Sequence, residues 1–254
     1  MTGIYFSGTG NTKHCIEKFV TALSLNRNES TQHPIQAISI EESARAIDAI
    51  KNAHGIIIFA YPIYYSNLPK IVRDFIVENK NLWKGKQIFI ICTMGLFSGD
   101  GAGVSARLFR QYGADIVGGI HIIMPDCICD VNLLKFSPAK NRKIIDKADS
   151  RLETAARKMA TGKPPQNGLN FFSHLAGLLG QRLWFYNITR HYSDKLKIHE
   201  EYCIKCGKCA AVCPMHNLTL TEDKVTTAGK CTMCYRCVNR CPQKAITLIG
   251  KRIW

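Results

Sequence analysis

The chain has 254 residues, enough for one large or two small domains, and at 46% hydrophobic and 21% charged it falls in the globular class rather than the disordered or membrane-spanning ones. Its formal net charge of +15 calls for an acidic partner, whether protein, membrane surface or nucleic acid. The opening MTGIYF has no basic stretch leading into an apolar run, so no export signal is read and a reducing cytoplasm is expected, where crowded cysteines mean metal rather than disulfides.

In chain order, strands are predicted at Gly3–Phe6, Ile35–Ile40, Gly55–Ala60, Gln87–Thr93 and Ile116–Met124. The third, GIIIFAY from Gly55, is apolar throughout rather than alternating, the pattern of a strand covered on both faces. Helices are predicted at Thr12–Leu25, Glu41–Asn52, Pro69–Asn79, Ala102–Tyr112 and Pro138–Thr161. Five β–α units in succession imply an α/β fold with a doubly wound, five-stranded parallel sheet, whose ligands bind at the carboxyl ends of the strands. Residues 1–161 are read as this domain.

Residues 162–197 are read as a linker and connecting helix. TGKPPQNG (Thr161–Gly168) breaks the preceding helix with two prolines and two glycines. Leu175, Leu179, Leu183 and Tyr186 then recur at helical spacing, but Arg182 interrupts the run, which is too short to cross a bilayer. A helix packed on one of the domains is expected, ahead of a partner-docking helix and of a membrane-surface helix, which Arg182, Arg190, His191 and Lys195 keep open.

Residues 198–254 are read as a unit of a different kind, short, cysteine-dense and internally repeated. CIKCGKCAAVCP begins at Cys203 and CTMCYRCVNRCP at Cys231, so each copy reads C-x2-C-x2-C-x3-C-P. A repeat this strict implies two copies of one unit, each incomplete alone. It is the spacing for [4Fe–4S] clusters in which the fourth cysteine crosses to the other copy's cluster. Three cysteines in a tight loop cap one face of a cubane but do not reach its fourth iron. Cys203, Cys206, Cys209 and Cys241 are therefore assigned to one cluster, and Cys231, Cys234, Cys237 and Cys213 to the other. Gly207 is expected to let the backbone bend close to the inorganic sulfides. Zinc sites use two separated cysteine pairs instead of two triplets with a trailing Cys-Pro. The segment resembles a dicluster bacterial ferredoxin over about fifty residues, which implies a small α+β domain.

SGTGNT, Ser7–Thr12, sits between the first strand and the first helix. It lacks the Gly-Lys-Ser/Thr ending of a nucleotide-hydrolysis loop and the third glycine of a dinucleotide fingerprint. It offers hydroxyls and backbone N–H groups at a helix N-terminus, enough for one terminal phosphate. The stretch resembles the phosphate loop of flavodoxins, T/S-x-T-G-x-T, through Ser7, Thr9, Gly10 and Thr12, with Asn11 between them. The resemblance implies FMN as cofactor. It further implies that the loops after the third and fourth strands flank the isoalloxazine ring, with Tyr61, Pro62, Ile63 and Tyr64 on one and Thr93, Met94, Gly95 and Phe97 on the other. Cys127 and Cys129 of PDCICD lie near the carboxyl end of the last strand, either close to the flavin or a docked cluster or, the reading preferred, as two buried or inert thiols.

Nearly the whole chain resembles the flavodoxin–ferredoxin fusion proteins of anaerobic bacteria and archaea, which implies electron transfer between FMN and two low-potential clusters. Either the chain is an electron carrier serving acidic redox partners of ferredoxin or flavodoxin type, or its FMN reduces a small organic substrate directly. A nucleic-acid-binding protein with structural or sensing clusters is the alternative of another class. Against it, bound clusters and FMN would bring the charge to about +9, the lysines are spread along the chain, and no recognition motif stands out. A homodimer would complete the electron path if clusters and flavin stood far apart within one chain.

Overall fold

A computed structural model describes residues 1–26, 35–64, 67–96, 100–170, 175 and 195–252. The expected connecting helix lies almost wholly outside them.

The N-terminal part alternates strand and helix: β1 Thr2–Tyr5, α1 Asn11–Asn26, β2 Ala37–Ser39, α2 Ser43–Lys51, β3 Ile57–Pro62, α3 Lys70–Glu78, β4 Gln87–Met94, α4 Gly101–Gln111, β5 Asp115–Ile123 and α5 Pro138–Ala160. All five strands are parallel, in the order β2-β1-β3-β4-β5. That is the flavodoxin-like order, with its switch point between β1 and β3. Every residue of β3 is buried, as its unbroken apolar run requires of a central strand.

Strand alternation divides the core in two. Ile4, Phe59, Tyr61, Ile90 and Cys92 face α2, α3 and α4. Ile58, Ala60, Phe89, Ile91, Ile120 and Ile122 face α1 and α5. The first layer is locked by aromatics, with Phe59, Trp83 and Phe109 meeting edge to face at 4.9–6.1 Å between centroids, and Trp83 Nε1 donates to the Ile76 carbonyl. In the second, Phe19 stacks on Phe89 at 5.2 Å.

The segment after α5 does more than break the helix. Gly119 N donates to the Pro165 carbonyl and Asn167 N to the Gly119 carbonyl, so residues 165–167 add to the free edge of β5. A β-carbon at Gly118 would stand 2.6 Å from the Pro165 carbonyl of this added segment, and one at Gly119 would press on Ala102 of α4 at 3.2 Å, which accounts for the paired glycines inside a strand.

The cysteine-rich part contains β6 Lys197–Ile198, α6 Lys208–Ala211, β7 Leu218–Leu220, β8 Val225–Thr227, α7 Arg236–Arg240 and β9 Ile246–Thr247. β6 pairs antiparallel with β9, and β7 with β8. The repeat in sequence is also a repeat in backbone. Lys205 and Met233, Gly207 and Tyr235, and His216 and Lys244 all have positive φ, between 47° and 71°. Within each pair the residues stand 28 positions apart, as Cys203 and Cys231 do. Gly207 is therefore not there because only glycine can adopt the turn, since Tyr235 adopts it with φ 59°.

Candidate functional site

The loop between β1 and α1 is built by hydroxyls. Ser7 Oγ accepts from Gly10 N at 3.1 Å and shapes the turn. Thr12 is buried, and its hydroxyl lies 2.7 Å from that of Thr93 at the end of β4. Asn11 Nδ2 donates to the Pro125 carbonyl beyond β5 at 2.7 Å. Three strand ends are thus tied together around the N-terminus of α1, where free backbone N–H groups favour an anion.

These strand ends open on a cavity of about 280 Å³. Ser7, Thr9, Asn11, Thr12, Pro62, Ile63, Tyr64, Thr93, Met94 and Gly95 line it, so the structure gathers ten of the thirteen residues expected to hold FMN. Gly10 stays in the loop, with φ 111°, and turns to the neighbouring groove. Phe97 lies outside the described residues. Tyr61 is a correction: it does not line the cavity but is buried in the core, where its hydroxyl donates to the Gly101 carbonyl at 2.8 Å and lies 2.7 Å from Ser105 Oγ. Strand alternation turns Tyr61 to the same face as Phe59, toward α4.

Of the remaining walls, sequence reasoning offered only Cys127, as the alternative to an inert thiol, and missed the rest. Met124, Pro125, Asp126, Cys127 and Ile128 come from the loop after β5, and Met233 and Tyr235 come from the cysteine repeat. Burial pushes the Asp126 carboxyl above the usual carboxylate range, although the N–H of Ile128 donates to it at 2.9 Å. Burial also pushes the Cys127 thiol up to about 12, with Asp126 adding to the shift, so it is a neutral thiol at ordinary pH.

The eight cysteines of the repeat ring two smaller cavities. Cys203, Cys206, Cys209 and Cys241 surround one, together with Ile198, Val225 and Ile246. Cys213, Cys231, Cys234 and Cys237 surround the other, together with Leu196, Leu218 and Leu248. Among the described residues no three His, Cys, Asp or Glu side chains close on a point that one ion would fill. Four thiols spread around an apolar cage suit a larger group. Backbone N–H groups already point at sulfur: Asn217 N lies 3.3 Å from Cys213 Sγ, Ala245 N 3.2 Å from Cys241 Sγ and Met233 N 3.3 Å from Cys231 Sγ. Such bonds are what tune a cluster's potential.

The two parts of the chain are clamped together around the large cavity. Asp130, fully buried beyond β5, accepts from Tyr235 Oη at 3.0 Å on one oxygen. On the other it accepts from Leu248, Ile249 and Gly250 N at 2.8–3.2 Å. Arg236 donates to the Ser7 and Gly8 carbonyls at 2.7 and 2.9 Å and pairs with both oxygens of Glu41. Gly8 is a true close approach, since a β-carbon there would stand 2.7 Å from the Cys234 carbonyl and strike the Tyr64 hydroxyl.

Residues 190–246 match the model of a 4Fe-4S dicluster domain. A ferredoxin of Methanothermococcus thermolithotrophicus is 41% identical over 46 residues, which are 17% of this chain and 77% of that protein. Through this segment the chain belongs to the 4Fe–4S dicluster ferredoxins. It is a flavodoxin-like fold joined to a dicluster ferredoxin domain.

Among other relatives, one subunit of the H(2):CoB-CoM heterodisulfide,ferredoxin reductase of Methanothermobacter marburgensis is 32% identical over 78 residues, 23% of this chain. The match spans only 42% of that relative's length. Of solved structures, the flavodoxin of Megasphaera elsdenii is similar over 62% of this chain and 99% of its own, with 20% identity and a TM-score of 0.44. The strand order, observed directly, is what identifies the N-terminal fold. No helix among the described residues is long and apolar enough to cross a membrane.

Proposed function

We propose that this chain carries electrons between FMN, bound in the large cavity, and two [4Fe–4S] clusters, one on Cys203, Cys206, Cys209 and Cys241 and the other on Cys213, Cys231, Cys234 and Cys237. The observation that carries the reading is a shared wall. Met233 and Tyr235, which flank Cys234, line the same cavity as Ser7, Thr9 and Thr12. When bound, FMN takes two electrons one at a time and each cluster carries one, so the set converts paired electrons into single ones or the reverse.

The chain's own residues supply position and environment. Ser7, Thr9 and Thr12 offer hydroxyls to a terminal phosphate, and the N-terminus of α1 offers its N–H groups. Ile63, Tyr64, Met94 and Met124 provide apolar walls that exclude water. Asp130 and Arg236 fix the distance between the two parts, the quantity on which electron transfer depends most steeply. External redox proteins are the expected partners, as donors or acceptors of single electrons.

Asp126 favours a second reading. A carboxyl in the cavity wall that holds its proton to higher pH is suited to proton delivery. In this reading the chain is a flavin-dependent reductase of a small organic substrate, fed by the same clusters.

Counting cofactors in anaerobically purified protein tests the proposal. One flavin and about eight irons per chain are expected. Thr12→Val, which removes the bond to Thr93, is expected to lower bound flavin and leave iron unchanged. Cys206→Ala is expected to remove about four irons and leave flavin in place. A colourless, zinc-loaded protein would overturn the reading.

A further inference from the structure

The cysteine repeat is symmetric in sequence but not in its surroundings. Ile204 corresponds to Thr232, Lys205 to Met233, Cys206 to Cys234, Gly207 to Tyr235 and Lys208 to Arg236. In the second copy this corner is covered. Thr232, Cys234 and Tyr235 are buried, and the Arg236 guanidinium is held by loop carbonyls and Glu41. In the first copy the same corner faces solvent. Ile204 is 59% exposed, and Lys205, Cys206 and Lys208 are exposed around it.

The exposed corner is basic. A groove leads from Lys208 past Ala211 to Arg240. None of the ion pairs among the described residues involves Lys205, Lys208 or Arg240. The acids nearest in sequence are Glu200 and Glu201 before the loop, and Glu222 and Asp223 between β7 and β8; Glu201 lies 3.7 Å from His199. An exposed isoleucine beside an exposed cysteine, rimmed by unpaired cations, has the composition of a transient docking patch. The apolar centre makes contact and the charges steer the approach.

We propose that the corner Ile204–Lys208, with Arg240, is the docking surface for a small acidic one-electron carrier protein. It does outside the chain what its symmetric counterpart does inside, where Thr232–Arg236 meets the flavodoxin-like fold. Each encounter moves one electron, so the carrier is oxidised by one equivalent and this chain reduced by one, or the reverse, with no atom exchanged. The proposal rests on the cofactor reading above.

The test uses the full-length holoprotein under anaerobic conditions. The probe is a reduced, small, acidic 2[4Fe–4S] ferredoxin, and dithionite serves as a reductant that needs no docking. Lys205→Glu/Lys208→Glu is expected to slow electron uptake from the probe about tenfold at low ionic strength and to flatten its salt dependence. Its dithionite rate, flavin and iron are expected to match wild type. Lys143→Glu/Lys147→Glu, an equal charge change on the exposed face of α5, is expected to stay within about twofold. If the reversal pair loads less iron, Lys205→Gln/Lys208→Gln makes the same test, with about threefold slowing expected.

Equal slowing by both double reversals, or none by either, would overturn the proposal. So would a wild type that accepts electrons from dithionite but not from the probe. A wild type without flavin or cluster iron would overturn the cofactor reading and this proposal with it, which the counts in the same samples distinguish.

Discussion

His121 and Gly8 each hold a local arrangement that one substitution would break. His121 Nε2 accepts the N–H of Ala102 at the start of α4 at 3.0 Å, so the ring must stay neutral on that nitrogen. Burial, with Arg151 adding to it, pushes its pKa down to about 4. A group whose folded pKa is depressed in this way favours the fold fully above its unfolded pKa of about 6.5 and loses that contribution as pH falls toward 4. The melting-temperature gap between wild type and His121→Gln is therefore expected to narrow from pH 7 to pH 4.5, and parallel melting profiles would contradict this. At Gly8, an added methyl has backbone on one side and the Tyr64 hydroxyl on the other. Gly8→Ala is expected to cost about 1–3 kcal/mol in chemical denaturation and to release flavin, because the ferredoxin loop must shift outward.

Among the elements, the loop after β5 is the one whose role sequence did not disclose. PDCICD reads as two thiols between two acids, yet it walls the cavity with Asp126 and Cys127 and latches the ferredoxin part with Asp130. No periodicity marks such a segment, because its hydrogen bonds run to residues 105–120 positions away. Asp130→Ala would leave three N–H groups and a tyrosine hydroxyl without their acceptor. Destabilisation of about 3 kcal/mol is expected, with faster hydrogen exchange at Leu248–Gly250. Asp130→Asn can turn its amide toward Tyr235, whose hydroxyl also accepts, and is expected to be clearly milder. Equal effects would show that the carboxylate charge, not the acceptor geometry, is what matters.

The regular elements were legible, by contrast. Each of the five strands and five helices lies within a few residues of its expected span, since hydrophobic period and glycine-proline punctuation act locally. The Ser7–Thr12 loop was expected at a ligand site and lines the cavity, and each expected cysteine set surrounds a cavity of its own, because their placement depends on local spacing. Tyr61 was not legible, because one step along a strand turns a side chain from the cavity to the core. Met233 and Tyr235 were not either, since their place in the cavity depends on how two parts distant in the chain meet.

At the scale of the whole molecule, that meeting decides the path. The dimer considered from sequence would be needed only if flavin and clusters stood far apart in one chain. In the structure the loop carrying Cys234 packs against the Ser7–Thr12 loop of the same chain, held by Arg236 and Asp130. The proposed order is then linear, from the exposed thiol set through the buried one to the flavin cavity. Stopped-flow reduction of the anaerobic protein by substoichiometric dithionite tests this most directly, with flavin and cluster absorbance followed over a tenfold range of protein concentration. Redistribution of electrons between the two bands at a rate independent of concentration is the expected result. A rate that rises with protein concentration, or bands that never exchange electrons, would contradict it.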